Sequence, residues 1–126
     1  MEIILNDDQF ESLKSMQSTI KKLEKAYVQM NEKGANTTLV KKRLDACKIG
    51  LAVLESDWNG ITHLYSQADL KDARKALLAL IPSIESSYAR SKAGSPQRTL
   101  LERRLKALDF VDEAMKEQLT KKKSRF

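Results

Sequence analysis

The chain has 126 residues, only four Gly and two Pro, and a formal net charge of +6. That length is enough for one domain whose core needs no disulfide or metal as a staple, and a single cysteine, Cys47, excludes an internal disulfide and, lacking Cys or clustered His companions, argues against a zinc site. Leu, Ala, Lys, Glu, Arg and Gln recur with few breakers between them, which predicts an all-α fold rather than short strands joined by turns.

The first helix is predicted to begin after Asn6 or Asp7, where a short polar side chain can accept a bond from an orphan backbone N–H, and Asp8 and Glu11 suit the positive helix end. Phe10, Leu13, Met16, Ile20, Leu23, Tyr27 and Met30 then recur at steps of three and four, placing all of them on one stripe of a long helix. Lys33-Gly34 supplies the stop, and Ala35 to Thr38 make a connection too short for anything but an antiparallel neighbour. In the second helix Val40, Leu44, Cys47, Leu51, Leu54, Trp58, Ile61 and Tyr65 follow a strict heptad spacing, which predicts a coiled-coil-like hairpin. Gly50 and Gly60 interrupt it. Either another helix approaches closely there, or the helix ends near Asn59-Gly60.

Ser66 to Asp69 offers a further cap, and Leu70, Ala73, Leu77, Leu80, Ile81, Ile84 and Tyr88 form a third stripe that Pro82 disturbs. Because the stripe continues past the proline, a kinked third helix over residues 70–91 is favoured over two shorter helices meeting at Ile81. Residues 1–92 thus read as a hairpin plus a third helix, and residues 93–97, containing Gly94 and Pro96, as a hinge or loop. A fourth helix follows over residues 98–120, completing a small bundle, and residues 121–126 form a basic tail predicted to be disordered.

Charge is unevenly spread. Residues 1–88 carry 12 Lys plus Arg against 12 Asp plus Glu, whereas residues 89–126 carry 11 against 5. The start lacks the basic flank of a secretory or transit segment, and no run approaches the roughly 20 apolar residues of a membrane span. A soluble, intracellular protein, cytoplasmic or nuclear, is therefore expected, without membrane partners.

The residue set for catalysis is missing: no nucleophile paired with a base, no paired carboxylates, no phosphate-cradling glycine loop and no metal cluster stand out in the sequence. His63 lies off the helix-2 seam and reads as solvated or interfacial, and Cys47 as a small buried apolar residue. The expectation is a non-enzymatic module with no cofactor and no small-molecule substrate, binding another protein or itself. Its candidate interface is Trp58 together with Leu101, Leu105, Leu108, Met115 and Leu119 of the fourth helix; Val111 or Asp112 lies on the same side, and Leu100 and Phe110 widen the face. The alternative is a nucleic-acid or chromatin-associated factor. It would use Arg103, Arg104, Lys106, Lys121, Lys122, Lys123 and Arg125 on phosphates, although Glu102, Asp109, Asp112, Glu113 and Glu117 share that helix.

The run Thr-Leu-Val-Lys-Lys-Arg-Leu, with Arg43 and Leu44 followed by Leu51, Trp58, Ile61 and Leu64, resembles the N-terminal helical region of Gag-like polyproteins from insect LTR retrotransposons of the BEL/Pao kind. The resemblance covers about 25 residues. It implies a retroelement structural protein, or a host protein derived from one, that uses helices for self-assembly or partner binding, and it carries over no catalytic residue.

Overall fold

The computed structural model describes the backbone of residues 5–124 and the side chains of residues 5–120. Within them the chain is all helical: α1 (Asp7–Glu32), α2 (Thr38–Asn59), α3 (Gln67–Leu78), α4 (Ile81–Arg90) and α5 (Pro96–Ser124).

Local chemistry sets most of the boundaries. Asn6 opens α1 with a reciprocal cap, its side-chain oxygen accepting from the Gln9 N–H at 2.8 Å while its own N–H donates to Gln9 Oε1 at 3.1 Å. Ser66 and Asp69 repeat the device at α3. At α5 the Ser95 hydroxyl accepts from the Arg98 N–H at 3.1 Å, and Pro96 occupies the first helical position, where its missing donor costs nothing.

Two expectations are corrected. First, α2 does not run to Tyr65. Gly60 adopts φ +69°, its N–H donates to Ser56 O and the Ile61 N–H to Glu55 O, so the last carbonyls are satisfied and the helix closes at Asn59. Residues 60–66 then form a non-helical strap, and Ile61 and Leu64, the latter 98% exposed, leave the seam. Second, the third helix is not kinked but split. A helical Pro82 could not donate to the carbonyl of Leu78 and would crowd it, so α3 stops there and Pro82 falls in the first turn of α4. The apolar stripe survives the split because α3 and α4 run along the same partner. Arg74 pairs with Asp112 and Tyr88 stacks with Arg98, so the two helices descend in order, antiparallel to α5.

α1 and α2 form the expected antiparallel hairpin, with Glu24 against Lys48 and Met16 against Gly50. It is not a two-stranded coiled coil. α2 packs on α1, α3 and α5, and α5 packs on all four other helices. A helix touched on three sides buries more than one seam. Accordingly Ala46, Gly50 and Val53 are buried beside Leu44, Cys47 and Leu54, while Leu51 and Trp58 of the heptad are only half-buried. Gly50 is the point of closest approach: a Cβ built there would lie 3.1 Å from both Leu77 Cδ1 and Met16 Cε and 3.3 Å from Val111 Cγ1, so one residue of α2 meets α1, α3 and α5 together.

α5 covers only the first half of α1, where Lys106 reaches Asp8 at 3.1 Å and Arg103 reaches Glu11 at 3.2 Å. Burial on α1 is confined to Ser12, Met16 and Ile20 for that reason. The joint over residues 93–97 connects helices of one packed unit: Arg98 donates to the Ser91 carbonyl at 3.0 Å and lies 4.1 Å from the Tyr88 ring centroid, fastening α5 to α4 across the turn. The predicted basic tail is also redrawn, since the α5 backbone stays helical through Ser124; Lys residues propagate a helix well and favour its negative end. The side chains of Lys121, Lys122 and Lys123, and all of Arg125 and Phe126, lie outside the described residues.

Candidate functional site

The apolar residues singled out from the sequence belong mostly to the core. Leu101, Leu108 and Met115 are buried, Met115 completely, and Leu105 and Leu119 are half-buried. They are the face with which α5 closes the bundle, so they do not form an open docking surface. Phe110 extends that face and receives the half-buried Trp58 edge-on, with ring centroids 5.2 Å apart and planes at 86°. The basic residues fare differently from one another. Arg103 and Lys106 are matched by Glu11 and Asp8 of α1, which the sequence could not place opposite them.

Arg104 is not matched. It is half-buried, its Nε is buried without a hydrogen-bond partner, and among the described residues it makes no ion pair. It lines a groove of about 180 Å³ between α1 and α5, with Glu11, Lys14, Ser15 and Ser18 on one wall and Leu100 and Arg103 on the other. Helical spacing builds both walls. Lys14 and Ser18 are four apart on α1, as are Leu100 and Arg104 on α5, so each pair stacks one turn above the other. At the rim the Lys14 ammonium lies 5.4 Å from the centre of the Phe10 ring, and both Phe10 and Leu100 are about half exposed, at 53% and 48%. The groove therefore offers two cations lacking carboxylate partners among the described residues, the Arg103–Glu11 ion pair, two hydroxyls and the apolar Leu100, with Phe10 beyond Lys14.

Arg104 also faces inward, close enough to Cys47 to favour its thiolate. Burial outweighs that influence and pushes the Cys47 thiol up to about 11, as expected for a side chain only 1% exposed. Cys47 is a core residue and an inert thiol at neutral pH. Asp112 experiences the opposite balance: burial alone would raise its carboxyl, but the bonds from Arg74 and from Lys116 at 3.2 Å outweigh it and hold the group below the usual carboxylate range.

His63 likewise has a structural task. The Tyr65 N–H donates to its Nδ1 at 3.2 Å, which leaves Nε2 as the donor to Gln118 Oε1 at 2.8 Å, and Gln118 in turn donates to the Val53 carbonyl at 3.5 Å. The chain of bonds ties the 60–66 strap to α5 and α2. Among the described residues no three His, Cys, Asp or Glu side chains cluster to hold a metal ion, and no helix is long and apolar enough to cross a membrane.

Sequence reasoning missed Lys14, Ser15 and Ser18, and assigned Phe10 to the seam. The available signal was the polar stripe Glu11, Ser15, Ser18 beside the apolar one, at steps of four and three. Compared with protein-family models, curated proteins and solved structures, the chain matches none of them.

Proposed function

We propose that this chain is a non-enzymatic protein-interaction module whose docking surface is the α1/α5 groove. The observation that carries the reading is Arg104. Its guanidinium carries a full charge with no carboxylate beside it among the described residues, and a partner that brings a carboxylate to the part of the group lining the groove gains a charge-assisted hydrogen bond. Leu100 in the groove, with the exposed Phe10 beyond Lys14, provides apolar area of the kind that becomes a binding anchor once covered. The partner is another protein or a second copy of the chain.

The resemblance of residues 38–64 to Gag-like polyproteins supports the same class of reading, a structural module of a retroelement or a host derivative. Arg43, Leu44, Leu51 and Trp58 of that pattern lie on α2, whereas Ile61 and Leu64 lie beyond its end. Nucleic-acid binding is the weaker reading, since Arg103 and Lys106 already face carboxylates.

Two measurements test the proposal. Light scattering across micromolar concentrations tests self-association, and capture from native extract with the whole chain and with Leu100→Glu tests docking of another protein. Concentration-dependent mass, or proteins retained by the native chain and lost with Leu100→Glu, supports the groove. A strictly monomeric mass together with identical capture by both chains refutes it.

A further inference from the structure

Resting on that docking reading, we infer that the groove recognises a carboxylate carried next to an apolar side chain on a partner protein, the carboxylate bonding to Arg104 and the apolar group lying on Leu100. Charge complementarity selects this occupant. Arg104 and Lys14 have no carboxylate partner among the described residues, while Ser15 and Ser18 add hydroxyl donors on the same wall. A guanidinium binds a carboxylate through two parallel bonds, which is the strongest acceptor a protein partner can offer it.

The surroundings limit how much negative charge can enter. The adjoining stretch of the α1/α5 cleft is lined by Asp7, Asp8, Glu11 and Glu102. Of these, Asp8 and Glu11 already neutralise Lys106 and Arg103. A nucleic-acid strand laid along the cleft would bring successive phosphates against those acids, whereas one carboxylate seated at Arg104 meets Lys14, two hydroxyls and a single acid, Glu11, which Arg103 already neutralises.

The test uses the whole ¹⁵N-labelled chain and a helical peptide of about three turns bearing Leu and Glu one turn apart, its Glu→Gln counterpart, and a short single-stranded RNA. The acidic peptide is expected to shift the amides of Lys14, Ser15, Ser18, Leu100 and Arg104, and to bind at least about tenfold more tightly than the Gln peptide. Arg104→Met, which keeps the stem and removes the charge, is expected to abolish that preference; Lys14→Gln, an exposed position that leaves the fold intact, is expected to reduce it. Equal binding of the two peptides at the groove overturns the carboxylate inference and leaves the docking reading standing. Absence of any shift at the groove with either peptide overturns both, and RNA shifting these amides more strongly than the acidic peptide overturns the choice of a protein partner.

Discussion

Replacing Gly50 with Ala adds one methyl group at the place where three other helices converge on α2. In an isolated helix the change would stabilise by about 1 kcal/mol. Here the new carbon would sit 3.1, 3.1 and 3.3 Å from Leu77, Met16 and Val111, against an optimum of about 3.5–4.0 Å for carbon pairs. All three neighbours must retreat by roughly half an ångström in a packed interior, and overpacking of this kind costs about 1–3 kcal/mol. The net expectation is a loss of about 1 kcal/mol, seen as a fall of roughly 4 °C in Tm and a lower urea midpoint at unchanged m value. Far-UV circular dichroism follows both transitions. The same substitution in a Met16→Ala background, where one of the three obstacles is gone, should cost at least about 0.5 kcal/mol less. If Gly50→Ala raises stability by the full helix-propensity gain, and does so equally in both backgrounds, the convergence of four helices at residue 50 is wrong.

Met115→Ala should cost about 2–5 kcal/mol in urea unfolding, because the side chain is completely buried; a near-neutral result would return it to the surface and revive it as an interface residue. Asp112→Asn should lower stability by about 1–2 kcal/mol at neutral pH by removing the charge that Arg74 and Lys116 share. Since the folded carboxyl is held below its ordinary value, that stabilisation is present above about pH 4 and is lost as pH falls through the folded pKa, so native chain and variant should converge in acid. For Cys47 the sign is reversed: the folded thiol, raised from 9.0 to about 11, keeps its proton when the unfolded thiol has lost it, so stability relative to Cys47→Ala should fall as pH rises from about 9 to 11. Thiol labelling of the native chain at pH 8 should track global unfolding, and rapid stoichiometric labelling would contradict its burial.

Legibility varied with the range of the interaction involved. The caps at Asn6 and Ser66 and the breaks at Gly34 and Pro96 were readable because each depends on residues within four positions of one another. The Gly60 stop was also visible, but the heptad through Ile61 and Tyr65 competed with it; a left-handed glycine that satisfies the last carbonyls prevails over an apolar repeat that has no partner helix to bury it. Pro82 posed the same contest and was decided by its missing donor. The candidate site was legible only in part. Arg103, Arg104 and Lys106 stood out as basic residues, and nothing in their spacing said which would meet a carboxylate, because Glu11 and Asp8 are about a hundred positions away along the chain.

The all-helical class, the antiparallel hairpin and the chemistry of most helix ends follow from the sequence alone, since periodicity, propensity and capping act within a few turns. Which apolar residues of α5 face inward, why Gly50 must be small, and why Arg104, unlike Arg103 and Lys106, meets no carboxylate among the described residues depend on how α5 lies across α1 and α2. That is set by the need to bury three amphipathic faces at once, a condition no single helix expresses in its own residues.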